Sequence, residues 1–151
     1  MSLNMSRSER EAFLAGVHVG VVGIAEPGRA PLLAPIWYGY EPGGELWFVT
    51  ERGSRKGRLL EQGGRVSLCA QSEAPPYKYV SVEGPITGIA PSDLERHERP
   101  LARRYLGEKL GDEYIESTGG AGERADSVIV RMRPERWLTV DYAKEFLAAG
   151  D

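Results

Sequence analysis

A group of cationic side chains near the middle of the chain is suited to binding an anion. Arg55, Lys56 and Arg58 follow Ser54, a good helix N-cap, and so fall in the first turn of a short helix predicted to run to about Gln62. The positive end of a helix dipole disfavours cations, and a bound anion would offset that conflict. Backbone N–H groups, a hydroxyl and two or three cations form a compact phosphate site. A solvated helix face is the alternative interpretation.

The segment before this group predicts a buried strand that ends at the anion site. Leu46 to Thr50 reads LWFVT, a run of bulky, aromatic and β-branched residues. Glu51 to Gly53 is a turn-prone break between this strand and the helix. A hydrophobic strand that ends in a phosphate-binding turn is a common way to hold a nucleotide-like cofactor. The strand therefore favours the anion site over the solvated helix face.

The strand and the cationic helix together resemble a known motif. Phe48-Val49-Thr50, a three-residue spacer and then Ser54-Arg55-Lys56 are similar to the flavin-phosphate motif of the pyridoxamine 5′-phosphate oxidase-like flavoproteins. Those proteins are split β-barrels, and the resemblance extends from about Glu9 to Tyr142. The family binds FMN, and its deazaflavin-dependent branch places the phosphate of coenzyme F-420 at the same location. The resemblance therefore implies FMN as the cofactor, with the deazaflavin coenzyme F-420 as the alternative.

The resemblance also implies roles for individual residues. Thr50, Arg55 and Lys56 would contact the cofactor phosphate, with Ser54 and Arg58 as helpers. The backbone from Ala34 to Tyr38 would pass along the flavin ring. Tyr79 occupies the position of a Gln that contacts the ring in pyridoxamine-phosphate oxidases, so that contact is altered here. The full set of expected cofactor-binding residues is Ala34, Pro35, Ile36, Trp37, Tyr38, Val49, Thr50, Ser54, Arg55, Lys56, Arg58 and Tyr79.

Two adjacent aromatic residues near the ring position are expected to point in opposite directions. Leu32 to Tyr40 is predicted to be one strand, in which Pro35 marks an edge, a bulge or a missing ladder bond. Side chains alternate along a strand, so Trp37 and Tyr38 lie on opposite faces. One is expected to pack into the barrel and the other to face the cofactor or a partner subunit. Alternatively, both are core and rim aromatics.

The pattern of short segments predicts a mainly β (α+β) fold. The 19 Gly and 10 Pro residues indicate many turns and short strands. We predict that about six to seven antiparallel strands close into a split β-barrel with short flanking helices. Capping boxes at Ser6 and Ser92 predict two helical stretches, the second divided by Pro100 and ending near Leu110. Strands are expected at residues 17–25, 32–40, 46–50, 65–71, 77–89, 127–132 and 137–142, the 77–89 strand being bent at Gly84.

One domain is expected over residues 6–142, because 151 residues suffice for a single hydrophobic core. Residues 1–5 are interpreted as the remnant of an expression tag or as a disordered start, and residues 143–151 as a tail. The glycine-rich segment Gly119 to Gly122 is predicted to be a surface loop, with a lid near the substrate as the alternative.

The resemblance further implies a homodimer with the cofactor at the interface. Trp37, Tyr38 and Tyr79 would belong to the wall of the site that the two subunits share. The expected activity is a flavin-binding oxidoreductase that transfers hydride or electrons to a small molecule. No catalytic side chain is assigned, because a flavin brings its own electron chemistry and no Ser-His-Asp arrangement is discernible. The alternatives are a deazaflavin-dependent reductase and a non-catalytic flavin or haem module for binding or storage. Haem would need His18 or His97 as its ligand.

Composition excludes several other classes of protein. The net charge of −3 offers no basic field for nucleic acid. Cys69 is the only cysteine, so no internal disulfide forms, and with two histidines no zinc site is predicted. No apolar run approaches transmembrane length and no signal peptide is visible, so we expect a cytoplasmic protein without a membrane partner. The pyridoxamine-phosphate oxidase reaction itself is disfavoured, because no histidine follows Trp137.

Overall fold

The computed structural model describes residues 2–118 and 125–145. The predicted Gly119 to Gly122 loop lies outside the described residues, as does most of the tail. The helices are α1 (Arg7–Ala15), α2 (Arg55–Leu59), a π-helical segment (Leu94–Glu98), α3 (Arg99–Leu106) and α4 (Glu108–Ser117). The strands are β1 (Gly20–Ile24), β2 (Leu32–Ile36), β3 (Tyr38–Tyr40), β4 (Leu46–Glu51), β5 (Arg65–Gln71), β6 (Lys78–Pro91), β7 (Ser127–Met132) and β8 (Arg136–Asp141).

Within the described residues, the strands form one antiparallel sheet that curls into a split barrel. The sheet runs in the order β2-β1-β5-β6-β7-β4-β3, and β8 pairs with β6 outside that path. The chain passes from β2 at one edge of this order to β3 at the other, with only Trp37 between them, so the sheet is curled. The predicted mainly β split barrel with short flanking helices is confirmed.

The long strand β6 changes its partner on one side near Gly84, the residue at which the sequence predicts a bend. Its first half pairs with β8 as far as Glu83, and its second half pairs with β7 from Ile86 onward. The register shifts between Ile86 and Gly88. A Cβ at Gly84 would clash with the carbonyl oxygen of Arg133, so glycine allows the two backbones to approach where the partner changes.

The strand predicted over 32–40 is divided at Trp37 into β2 and β3. The first piece, β2, pairs with β1, and Pro35 lies opposite Val21 in this pairing. The second piece, β3, pairs with β4. The change of partner strand accounts for the break, which periodicity alone did not predict. The adjacent aromatics separate as expected: Tyr38 is fully buried in the barrel, whereas Trp37 is half-buried on its outer side.

The interior of the barrel is filled by alternate residues of the strands. In β4 the inward positions are Leu46, Phe48 and Thr50, and in β6 they include Val80 and Val82. All of these side chains are buried. Truncating a fully buried aromatic side chain such as Phe48 to alanine typically costs about 3–5 kcal/mol. Packing in this core fixes the end of β4, where the predicted phosphate motif begins.

The predicted N-cap residue is the observed one at α1, but a different residue caps the helix at the second predicted capping box. Ser6 and Glu9 form the expected reciprocal capping box, and α1 ends at Ala15. At the second box the cap is Asp93 instead of Ser92. Its side chain accepts from the backbone N–H groups of Glu95 and Arg96 at 3.0 and 2.7 Å.

The α3–α4 hairpin extends further than predicted. Instead of ending near Leu110, the helical region breaks at Gly107, whose φ is 85°, and continues as α4 to Ser117. Arg103 donates to both carboxylate oxygens of Asp112, at 2.8 Å each. A Cβ at Gly111 would lie 2.7 Å from the Arg103 Cα, so the two helices pack closely at this glycine.

The beginning of the described chain packs against the barrel. Met5 is buried in the core, and its backbone N–H donates to Thr139 Oγ1 at 3.0 Å. The Asp141 N–H donates to the Leu3 carbonyl oxygen at 2.8 Å. Leu3 to Met5 is therefore part of the folded structure, although the sequence placed the domain start at residue 6. In the two described ranges, no helix is long and apolar enough to span a bilayer.

Candidate functional site

A cavity of about 280 Å³ lies between the ends of β2 and β4 and the α3–α4 hairpin. The barrel contributes the end of β2 and the end of β4, and α2 closes one side. Six of the expected cofactor-binding residues meet here, which sequence separation alone could not establish. The lining residues are Pro35, Ile36, Trp37, Val49, Thr50, Glu51, Lys56, Glu98, Leu101, Tyr114, Ile115 and Ser127.

One end of the cavity is polar. Thr50 is buried at the end of β4, and its Oγ1 lies 3.4 Å from Ser54 Oγ. Among the residues that the structure describes, Lys56 is the one cationic side chain that lines the cavity. A hydroxyl and an ammonium group beside each other are suitable donors for one anionic group such as phosphate.

Helix α2 is seated on the end of β4 through Ser54 and Gly57. Ser54 Oγ donates to the Glu51 carbonyl at 2.6 Å and accepts from the Gly57 N–H at 3.1 Å, so Ser54 is the helix cap predicted from the sequence. A Cβ at Gly57 would lie 2.6 Å from the Arg52 carbonyl oxygen and closer still to that of Glu51. Glycine therefore lets α2 approach the strand and bring Lys56 to the cavity.

The turn between β4 and α2 is also held from the far side. The backbone N–H of Gly53 donates to Asp126 Oδ2, and that of Arg52 to the Asp126 carbonyl, both at 2.9 Å. Asp126 precedes β7, which is the neighbour of β4 in the sheet. This contact fixes the turn relative to two adjacent strands.

Arg55 does not line the cavity and forms an ion pair with Glu26 in the β1–β2 turn. Its Nη2 lies 2.5 Å from Glu26 Oε2, and the hydrogen bond from Arg55 lowers the pKa of the Glu26 carboxyl. Arg58 is exposed on the same helix. Of the three predicted cations, the structure therefore brings Lys56 to the cavity wall, leaves Arg55 beside it and exposes Arg58.

The wall opposite the polar end is aromatic. The Trp37 and Tyr105 rings are stacked with centroids 5.1 Å apart, and the Tyr114 ring is tilted against Trp37 at 5.4 Å. The Tyr105 hydroxyl donates to the His18 carbonyl at 2.6 Å and accepts from the Tyr38 N–H at 3.0 Å. Burial raises the pKa of Tyr105, so this phenol stays protonated and retains both bonds.

A second, more apolar cavity of about 360 Å³ adjoins the first. The two share four residues of the β2 end and α4, and Val19 completes the second. Its lining residues are Val19, Pro35, Ile36, Trp37 and Tyr114. The polar cavity at Thr50 and this apolar cavity therefore adjoin, and the two together are called the groove.

Several expected residues lie outside both cavities. The Tyr38 side chain is in the core, where its hydroxyl donates to the Leu14 carbonyl at 2.7 Å. Tyr79 lies half-buried on the outer side of β6, between Gln71 of β5 and Val140 of β8. The remaining expected residues that do not line the cavities are Ala34, Ser54, Arg55 and Arg58.

The sequence analysis missed the contribution of the α3–α4 hairpin to the site. Leu101, Tyr114 and Ile115 line the cavity, together with the buried carboxyl side chain of Glu98. The apolar face of these helices could be recognised from the sequence, but the surface it covers could not. Ser127, at the start of β7, was also missed because nothing local distinguishes it.

The two histidines lie away from both cavities. His18 stacks on Phe13, and its Nε2 is 3.0 Å from the Phe13 carbonyl oxygen; burial lowers its pKa. His97 Nδ1 accepts from the Asp93 N–H at 2.9 Å. Within residues 2–118 and 125–145, no group of three or more His, Cys, Asp or Glu side chains could hold a metal ion.

Comparison with known proteins identifies the family. The sequence model of the family described as pyridoxamine 5′-phosphate oxidase matches residues 7–141. Among solved structures, the chain is similar to a conserved hypothetical protein, Rv2991, from Mycobacterium tuberculosis, with a TM-score of 0.76 and 25% identity, covering 97% of this chain and 91% of that one. No curated protein matches the sequence.

Two further structures share the fold. One is described as an F420 reductase, with a TM-score of 0.66 and 22% identity over 85% of this chain and 94% of that one. The other is the FAD and haem binding protein from Mycobacterium smegmatis, with a TM-score of 0.61 and 20% identity over 99% of this chain and 81% of that one. The family match begins at the first residue of α1 and ends at the last residue of β8. The chain belongs to the pyridoxamine 5′-phosphate oxidase family.

Proposed function

We propose that this protein is a flavin-type oxidoreductase that binds FMN or the deazaflavin coenzyme F-420 in the groove between the barrel and the α3–α4 hairpin. The observation that carries the proposal is the joining of a polar cavity at Thr50 and Lys56 to an apolar cavity at Trp37. A flavin phosphate is anionic and its ring is planar and largely apolar. The two ends of the groove match these two parts of the cofactor.

The residues at each end have separate tasks. The Lys56 ammonium and the Thr50 hydroxyl would hold the phosphate, where each charge-assisted hydrogen bond contributes about 1.5–3 kcal/mol. The ring would lie along Pro35 to Trp37, and Trp37 is kept in place by its stack on Tyr105. When bound, a flavin supplies hydride or electron transfer to a small molecule, so the protein needs only to bind, orient and shield it.

A homodimer would complete the groove. The first cavity, at about 280 Å³, is at the lower limit of typical cofactor sites, which are roughly 300–1,000 Å³. Apolar side chains remain exposed on the outer face of β1 and β8, namely Val21 at 39% and Leu138 at 61% exposure. Strand pairing places both residues in one row across the sheet, which also contains Pro35 of the groove. A second copy covering this face would bury the row and close the open side.

Titration of the purified protein with FMN and with F-420, followed by fluorescence, tests the proposed binding. Lys56→Gln is expected to weaken binding of the preferred cofactor about 10- to 100-fold, the loss expected for one charge-assisted bond. Lys109→Gln, an exposed substitution on α4 with the same charge change, is the control and should leave affinity unchanged. Equal affinity of wild type and Lys56→Gln would contradict the proposed phosphate site.

The competing class is a non-catalytic flavin or haem module. The haem version receives no support from the geometry, because His18 and His97 line neither cavity. A flavin-storage protein differs from an oxidoreductase in that its bound cofactor does not turn over. An oxidoreductase is expected to reoxidise the reduced, bound cofactor when an electron acceptor is added, whereas a storage protein binds stoichiometrically without turnover on any acceptor.

A further inference from the structure

The ion pair between Glu26 and Arg55 changes the charge available at the polar end of the groove. Arg55 directly precedes Lys56 on α2, yet its guanidinium is bonded to Glu26 at 2.5 Å. The Glu26 side chain is 16% exposed and that of Arg55 is 46% exposed, so the arginine is the more accessible partner of the pair. An arginine has five N–H donors, and this pair leaves some of them for a second anion.

Charged groups of both signs therefore lie at this end of the groove. Arg55 and Lys56 are cationic, while Glu26 pairs with Arg55 and Glu51 lines the cavity beside Lys56. Coulomb energy is proportional to the charge on the ligand. The carboxylate of Glu26 therefore opposes a doubly charged phosphate twice as strongly as a singly charged one at the same position.

We propose that Glu26 is a specificity residue that makes the site discriminate against a terminal phosphomonoester and in favour of a phosphodiester. A terminal phosphate such as that of FMN carries about −1.5 to −2 at neutral pH, because its second pKa is about 6. A phosphate esterified on both sides carries a single negative charge. This inference rests on the proposed function, because it concerns the phosphate of the cofactor bound at Thr50 and Lys56.

The inference separates the two candidate cofactors. The side chain of F-420 continues beyond its phosphate to a polyglutamate tail, so its phosphate is a diester. Arg52 and Arg58 are exposed on the turn and helix that carry Lys56, where they could meet such a tail. The charge of Glu26 therefore opposes the phosphate of F-420 less than that of FMN, whereas the sequence motif placed FMN first.

Titration of FMN into wild type and Glu26→Gln at pH 5 and pH 8 tests the inference. The glutamine side-chain oxygen can still accept from Arg55, so the change removes the charge and keeps the hydrogen bond. We expect Glu26→Gln to tighten FMN binding about tenfold at pH 8, where the phosphate is doubly charged. At pH 5 the phosphate is singly charged, so the change in binding free energy should be half as large. Half of the free energy of a tenfold gain corresponds to a gain of about threefold in affinity.

Other charged groups near the pair are Arg29 in the same turn, Glu51 and Arg52 at the β4 end, Lys56 on α2 and Asp126 before β7. Comparing the two proteins at the same pH removes their contribution, because they are common to both. Glu26 keeps its charge at pH 5, since its pKa is lowered from 4.5.

Glu73→Gln is the matched control, because this exposed carboxylate lies beyond the far end of β5 and should not alter FMN affinity at either pH. A gain from Glu26→Gln that is equal at both pH values, or weaker binding in the variant, would overturn the inference and leave the proposed function standing. Failure of FMN and F-420 alike to bind either protein would overturn the proposed function, and this inference with it.

Discussion

The Trp37 ring stacks on the Tyr105 ring with centroids 5.1 Å apart and planes 7° from parallel. Tyr105 is in turn bonded through its hydroxyl to the backbone of His18 and Tyr38. Helix α3 is thereby attached to the point where β2 gives way to β3. Tyr105 therefore contributes both to the position of the hairpin and to the orientation of the aromatic wall.

Tyr105→Phe is expected to destabilise the protein while keeping the aromatic stack. Loss of the hydroxyl leaves the Tyr38 N–H and the His18 carbonyl without this partner, at a cost of about 1–3 kcal/mol per buried group. Urea unfolding followed by circular dichroism measures the loss. Tyr77→Phe, at an exposed tyrosine, is the control and should lie within about 0.5 kcal/mol of wild type. Equal stability of the two variants would contradict the attachment.

Gly57→Ala is expected to displace α2 and weaken cofactor binding more than tenfold. The new methyl group would meet the carbonyl oxygens of Glu51 and Arg52, so the helix that carries Lys56 has to move away from β4. Cofactor titration together with thermal unfolding measures both effects. Gly88→Ala is the matched control, because a Cβ there has no neighbour within 4 Å and the backbone is not in the left-handed region. Wild-type affinity in Gly57→Ala would show that Lys56 does not depend on this close approach.

Leu138→Glu is expected to convert the proposed dimer to monomers. In the proposed dimer, the row of residues that contains Val21 and Leu138 is buried against a second copy. Glutamate at position 138 would place a carboxylate in this apolar interface, where an unpaired charge is costly. Light scattering coupled to gel filtration measures the mass. Leu110→Glu, at a similarly exposed leucine on α4, should keep the wild-type mass. A monomeric wild-type protein, or a dimeric Leu138→Glu variant, would count against an interface on this face.

The α3–α4 hairpin is expected to lose stability in acid because of Asp112. Hydrogen bonds from Arg103 and Arg99 lower the pKa of its carboxyl from 3.8 to about 2. A group whose pKa is depressed by folding stabilises the folded state above its unfolded pKa, and that stabilisation is lost as pH falls towards the folded value. This contribution should therefore disappear between about pH 4 and pH 2.

Unfolding measured across that pH range in wild type and Asp112→Asn tests the prediction. The variant is expected to be less stable at pH 6 and to lose less stability between pH 4 and pH 2. Glu9, whose pKa is lowered to about 2 by Lys144 and Ser6, titrates in the same range and is common to both proteins. Parallel stability curves for the two proteins would rule out the ion pairs as the cause.

Local signals in the sequence predicted most of the secondary structure. The capping box at Ser6, the cap at Ser54 and the strand Leu46 to Thr50 are confirmed, because each depends on residues close together in the chain. Prediction was poorer at two boundaries. At Trp37 a change of strand partner divides the predicted strand, and near Leu110 a glycine between two helices lets the helical region continue.

The sequence by itself determined the barrel, the opposite orientation of Trp37 and Tyr38, and the cationic helix that follows β4, since strand alternation and caps are short-range properties. Only the tertiary structure decided which cation reaches the groove. Lys56 faces the cavity, whereas Arg55 is paired with Glu26, which is separated from it by 29 positions. It also decided that the α3–α4 hairpin covers the site. Such contacts join residues far apart in the chain, so they depend on how the whole sheet closes and not on any local pattern.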